Sequence, residues 1–227
     1  MTDQSEWTGK VGNVWAEEWQ RTDRSFGPLT QKLIAVARSA PFAQAIDIGC
    51  GAGEISLTLA AGAPSSHVLG VDISHDLLQV ARVRGKDRPN LRFELANAAN
   101  WYAGAAERPD LVVSRHGVMF FADPTAAFTH IAGQAAPGAR LAFSCFRERA
   151  DNIWARELAS IAPPGEEPAP DPEAPGPFAF GRRERTETLL AQAGWTDIAF
   201  EAVDYGMVAG EGAEAVADAL SYFQRIG

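Results

Sequence analysis

The sequence predicts a doubly wound α/β fold, a mostly parallel sheet covered by helices on both faces, with an N-terminal helical cap. Three observations predict it. From residue 45 onward short apolar runs recur, each bounded by turn residues. Helically spaced segments alternate with them, the pattern of βαβ units. The first run ends in a glycine cluster, Gly49, Gly51 and Gly53, where the next helix begins.

Taken in order, Ala45–Gly49 (AIDIG) is an apolar run broken by one acid and reads as a buried strand. Glu54–Ala61 carries Ile55, Leu57, Leu59 and Ala60 at helical spacing. His67–Asp72 is the second strand, and Ser74 is placed to cap a helix running to about Arg84. Leu91–Leu95 is the third strand, alternating Leu91, Phe93 and Leu95 on one face, and Asp110–Ser114 is the fourth. Asp123-Pro124 opens a helix to about Ala135, with the cap and the proline in the positions helix starts favour. Pro137-Gly138 is a turn before a fifth strand, Ala139–Phe146. Arg182–Ala193 reads as a helix, Thr196–Tyr205 as a further strand, and Glu211–Ile226 as a last helix.

Two stretches break the rhythm. Residues 1–44 precede the first strand and read as two helices, Lys10–Arg24 and Pro28–Ala40. Trp15 and Trp19 lie four apart on the first and therefore share a face. This gives a division into a helical cap, 1–44, and an α/β domain, 45–227. Within the latter, Pro163–Pro177 holds seven of the chain's 14 prolines and reads as part of a lid loop spanning 163–180. Its acids Glu166, Glu167, Asp171 and Glu173 read as a solvated loop.

Composition excludes several classes. With 227 residues the chain is long enough to bury a sizeable core. Twenty Lys+Arg against 29 Asp+Glu give a net charge of −9, which argues against non-specific nucleic-acid binding. Two cysteines, Cys50 and Cys145, make no disulfide framework and suggest a reducing, cytoplasmic setting. No apolar run is long enough to span a membrane, and MTDQSEWTGK has no signal core. No His or Cys pair has metal-ligand spacing, so no metal site is expected.

The chemistry concentrates at Asp47-Ile48-Gly49-Cys50-Gly51-Ala52-Gly53. Glycines let a ligand approach the backbone, and the following helix presents unpaired N–H groups and a positive dipole end. Asp72, at the tip of the second strand, can accept both hydroxyls of a ribose. Together they describe a nucleoside site beyond the strand ends. The dinucleotide fingerprint needs a third glycine where Glu54 stands, and an acid there opposes a pyrophosphate. A ligand with an α-amino group and no pyrophosphate suffers less from Asp47 and Glu54, which favours S-adenosylmethionine.

AIDIGCGAGEISLTLA resembles the first motif of class I S-adenosylmethionine-dependent methyltransferases. VLGVDIS resembles their second-strand motif, which implies Asp72 as ribose acid and Ile73 against the adenine. FELANAANW is similar to the third-strand motif and puts Asn97-Ala98 where the family usually has Asp-Ala at the adenine amino group. PDLVVSRHGVMFFADP resembles the fourth-strand motif of a small-molecule branch related to quinone-biosynthesis C-methyltransferases, and APGARLAFSCF the strand after it. The resemblance covers roughly Val11 to Tyr205. It implies methyl transfer from S-adenosylmethionine to a small or medium organic acceptor, with S-adenosylhomocysteine as product. It also implies that the cap carrying Trp15 and Trp19 helps to form the acceptor pocket. Such proteins close with a seventh, antiparallel strand. Here the chain stops at Gly227, so either Tyr205–Ala209 supplies that strand or the chain is shortened before it.

The cofactor residues expected are therefore Asp47, Gly49, Cys50, Gly51, Gly53, Asp72, Ile73, Asn97, Ala98, Ser114 and Arg115. Cys50 reads as a small residue in a tight turn rather than a nucleophile. His116, at the mouth of the fourth strand, is the one candidate general base, with packing against the N-terminal helices as its competing reading. Trp15, Trp19, Met119, Phe120 and Phe178 are candidate pocket walls, with Phe180 beside them. Two readings compete with the enzyme: a non-catalytic S-adenosylmethionine-binding or assembly protein, and an NAD(P)-dependent oxidoreductase. The oxidoreductase is disfavoured because no tyrosine has a lysine four residues later.

Overall fold

The structure is a computed structural model and describes residues 4–104, 107–161, 171 and 173–226. Five parallel strands form one sheet: β1 (Gln44–Ile48), β2 (His67–Asp72), β3 (Leu91–Leu95), β4 (Leu111–Arg115) and β5 (Arg140–Ser144). Their spatial order is β3-β2-β1-β4-β5. Register is set by pairs such as Asp47↔Gly70 and Asp47↔Val113, so the three central strands end side by side. The order reverses between β1 and β4, and in open α/β sheets the crevice beyond that point is where ligands bind.

Helices cover both faces. On one, Ile46, Ile48, Val71 and Val112 pack with Phe128, Ile131, Leu189 and Leu190. On the other, Ala45, Val68, Leu111 and Val113 pack with Leu33, Ala37, Ile55 and Leu59. The central strands read as continuous apolar runs because both faces are buried. At the sheet edge Leu95 is 51% exposed, so β3 does not bury the full Leu91-Phe93-Leu95 face that its alternation predicts.

The expected helices are present as α4 (Glu54–Gly62), α5 (His75–Gly85), α6 (Pro124–Gln134), α8 (Arg183–Gln192) and α9 (Ala215–Ile226). Ser74 Oγ accepts from Leu77 N at the start of α5, and Asp123 Oδ1 from Ala126 N at the start of α6. One helix, α7 (Ile153–Ile161), stands before the proline-rich segment and is additional to those the sequence predicts. Most of Pro163–Pro177 lies outside the described residues. From Glu173 the chain runs in turns, and Gly176 N donates to Met119 O at 3.0 Å.

The N-terminal region departs from expectation. It forms α1 (Gln4–Trp7), α2 (Lys10–Glu17) and α3 (Trp19–Ala37). The break falls at Glu18, not between Arg24 and Pro28, and Pro28 sits inside α3. A proline inside a helix costs about 3 kcal/mol. Phe26, Leu29, Leu33 and Ile34 flank it on the buried face, and each contributes about 1.5–3 kcal/mol by burial. Burial on both sides therefore outweighs the lost backbone bond. Trp15 and Trp19 consequently lie on different helices.

Neither Thr196–Tyr205 nor Tyr205–Ala209 is a strand; 195–210 is irregular. Asp197 takes a left-handed φ of 53°, which interrupts extended backbone near the start of the expected strand. Side chains then hold the segment: Lys32–Glu201 at 2.7 Å, Arg147–Asp204 at 2.6 Å and Arg183 over Phe200 at 5.1 Å. Beyond it α9 packs on α2 and α3. Tyr222 is fully buried with its hydroxyl 3.1 Å from Thr22 Oγ1. Asp218 accepts from Arg21 and Arg24, and Arg225 pairs with Glu17 and Glu18. No helix among the described residues is long and apolar enough to cross a membrane.

Candidate functional site

The loop after β1 holds three glycines with positive φ: 63° at Gly49, 54° at Gly51 and 88° at Gly53. Each does a different job. A Cβ at Gly49 would stand 2.7 Å from Gly117 Cα, so the loops after β1 and β4 touch backbone to backbone. Gly51 has nothing within 4 Å of that position and faces open space. Gly53 caps α4 and would meet Phe93 at 3.0 Å; it serves packing and does not line the crevice. Gly49→Ala is expected to cost about 3 kcal/mol, because backbone cannot yield and the conformation is left-handed. Gly51→Ala should cost less, and thermal melts of the two variants check the difference.

Asp47 is 1% exposed. Its Oδ2 accepts from Ser56 N at 3.0 Å and Ser56 Oγ at 2.6 Å, while Oδ1 is buried without a partner. Burial pushes this carboxyl up to about 7, against the pull of Ser56 and Arg115. Asp72 accepts from Gly51 N through Oδ2 and from Ser74 N through Oδ1, both at 2.8 Å. Burial raises it as well, and those backbone bonds oppose the rise. Ile73, Asn97 and Ala98 line the crevice beside it, and Asn97 Oδ1 accepts from Ala99 N at 2.9 Å. Cys50 is buried, and burial beside Asp72 and Asp47 holds its thiol well above the ordinary range, so it is inert.

Ser114 does not reach the crevice. It is fully buried, donates to Ile48 O at 2.7 Å and accepts from Val118 N at 3.3 Å, bracing the two loops. Arg115 does line the crevice. It donates to Thr30 Oγ1 at 2.7 Å and stands 3.5 Å from Asp23. Asp23 also pairs with Arg84 at 2.7 Å, and Arg84 reaches Glu54 at 3.4 Å, Ala52 O at 2.6 Å and the Trp19 ring at 4.0 Å. Burial and the neighbouring Asp23 push Glu54 up to about 7.

His116 adopts a left-handed φ of 68° and lies between two rings. Phe26 meets it edge-on at 5.1 Å, and Phe146 stacks on it at 4.3 Å and 25°. Burial, then the charge of Arg115, pushes the imidazole down to about 3. At neutral pH it is uncharged and a weak base. The packing reading of His116 accounts for this geometry; the general-base reading does not.

All these crevice residues open onto one cavity of about 690 Å³. Trp15, Trp19, Met119, Phe120 and Phe178 line it. Phe180 does not; it is 3% exposed in the core against Phe128 and Phe143. Sequence reasoning missed Trp7, Asp23, Phe26, Phe146, Trp154, Met207, Phe223 and Ile226. Helical spacing on α3, where Trp19, Thr22, Asp23 and Phe26 form one stripe, carried a signal for some of them. Nothing local marks Phe223 and Ile226.

The sheet order and the helices on both faces make the fold Rossmann-like. Residues 45–138 match the family described as "Methyltransferase domain". Among curated proteins, the trans-aconitate 2-methyltransferase of Methylobacterium radiotolerans is 36% identical over 120 residues, 53% of this chain and 44% of that protein. The protein of the same name from Variovorax paradoxus is 30% identical over 164 residues, 72% of this chain and 58% of that one. The chain thus spans about half the length of the curated relatives it matches. Those relatives do not bear the name of the quinone-biosynthesis branch that the fourth-strand motif resembles.

Among solved structures, a putative O-methyltransferase from Nostoc punctiforme superposes with a TM-score of 0.63 at 15% identity, over 80% of this chain and 54% of that one. The magnesium protoporphyrin IX methyltransferase of Synechocystis with bound SAH gives 0.57 at 16% identity, over 84% and 86%.

Proposed function

We propose that this protein transfers a methyl group from S-adenosylmethionine to a small or medium organic acceptor. The observation that carries the reading is the pairing of an orphaned buried oxygen, Asp47 Oδ1, with an open glycine cradle at Gly51 beside Asp72. Such an oxygen fits an ammonium group, the cradle admits a ligand against backbone, and Asp72 fits ribose hydroxyls. The bound cofactor would supply an electrophilic methyl group. Asp47 and Gly51 would hold its amino-acid end, Asp72 its ribose, and Ile73, Asn97 and Ala98 its adenine.

The rest of the chain's work is alignment and exclusion of water. Residues 4–44 and α9 would act as a cap over the acceptor half of the cavity, with Pro177 and Phe178 at its wall. His116 would pack against the acceptor without taking a proton. His116→Gln is accordingly expected to leave kcat within about tenfold, since general-base catalysis is worth roughly 10²–10⁴-fold. Its pH–rate profile should match that of the parent between about pH 6 and 8; initial rates at saturating acceptor check this.

Calorimetric titration with S-adenosylmethionine, S-adenosylhomocysteine and NADH tests the reading. Binding of both adenosyl ligands without NADH is the expected result. Binding of NADH alone would replace it with the oxidoreductase reading. Adenosyl binding with no turnover on any acceptor would leave a non-catalytic binding protein.

A further inference from the structure

The acceptor half of the cavity has a chemistry of its own. Phe146 sits at its centre. His116 stacks on it, Trp154 meets it at 5.5 Å and 62°, and Phe178 lies 6.2 Å away. Trp154 and Phe178 are nearly parallel, at 5.9 Å and 23°. Trp7 joins Phe120 at 4.9 Å and Trp15 at 5.5 Å from the N-terminal side. These rings come from α1, α2, the turn after β4, the segment after β5, α7 and the turn before α8. Rings gathered from such separate segments, paired with one another and still lining open space, make a binding surface.

Its charge balance points the same way. Among the described residues, two arginines and four aspartates line the whole cavity, and two of the aspartates, Asp47 and Asp72, belong to the cofactor end. Arg115 is committed to Asp23 and Thr30, and Arg149 lies over the face of Phe178 at 4.8 Å. A polyanion entering here would shed its hydration and find Arg115 already paired with Asp23.

We infer that the chamber takes a planar, uncharged aromatic acceptor, laid against the cavity-facing side of Phe146, Trp154 and Phe178, and that it rejects polycarboxylates. The inference rests on the proposed methyl transfer only in calling the guest an acceptor. It separates this chain from the substrate that the relatives' names carry.

The test titrates the full chain by calorimetry with 2-naphthol as the planar probe and with trans-aconitate, each with and without S-adenosylhomocysteine. We expect 2-naphthol to bind at least tenfold more tightly than trans-aconitate. Trp154→Leu and Phe178→Leu should each weaken 2-naphthol at least fivefold and leave S-adenosylhomocysteine affinity within twofold. That second affinity shows that each variant is folded. Because the two rings come from different segments, either variant carries the comparison if the other unfolds; if both do, the ratio in the parent chain decides. Equal or tighter trans-aconitate binding, no 2-naphthol binding, or 2-naphthol binding indifferent to both substitutions would overturn the inference. Absence of S-adenosylhomocysteine binding would instead remove the methyltransferase reading, and the 2-naphthol titrations without it would still decide what the chamber accepts.

Discussion

Asp72→Ala is expected to lower S-adenosylhomocysteine affinity by roughly 10²–10⁴-fold. Two hydrogen bonds to a charged acceptor are worth about 1.5–3 kcal/mol each, and roughly every 1.4 kcal/mol is tenfold. The substitution also frees Gly51 N and Ser74 N, which Asp72 now satisfies, so some of the loss comes from the loop. A cycle separates the two contributions. Adenosine should bind the parent chain roughly tenfold better than 3′-deoxyadenosine, and the difference should vanish in Asp72→Ala. An undiminished difference would place the ribose elsewhere.

Asp47→Asn should move binding and stability in opposite directions. Affinity for S-adenosylhomocysteine is expected to fall roughly 10–100-fold, the worth of one charge-assisted bond. Stability should rise. Burial lifts the Asp47 carboxyl from 3.8 to about 7, so the folded state holds a proton that the unfolded chain releases. The folded state therefore binds more protons across that interval, and stability declines as pH rises through it. Asparagine abolishes the decline. The gain in Tm, a few degrees, should be larger at about pH 8 than at about pH 5. A group that burdens the fold and serves the ligand is what selection for function leaves behind. Melts at the two pH values, with calorimetry on the same samples, check both halves.

The sheet was legible because its central strands are buried on both faces. Ile46, Ile48, Val71, Leu111, Val112 and Val113 cannot be polar, so the runs announce themselves. The glycine loop was legible because positive φ and backbone contact exclude other residues at Gly49. The helix break at Glu18 was not, since local chemistry at Pro28 argues for a break and only tertiary burial overrules it. Thr196–Tyr205 alternates like a strand, yet a strand requires a partner ladder, which local sequence does not encode. In the site, the motif residues were read from spacing, whereas Phe146, Trp154 and Phe223 act through packing between distant segments.

The bond between Tyr222 and Thr22 joins residues 200 apart in the chain, and Phe223 and Ile226 wall the same cavity as Trp7. During synthesis the sheet can form once β5 has emerged, but the pocket lacks a wall until residues 215–226 follow. Loop closure over that separation is slow compared with local pairing. A nascent chain halted near residue 210 would hold a finished sheet beside a gaping aromatic surface. Ligand binding would then wait on the docking of α9.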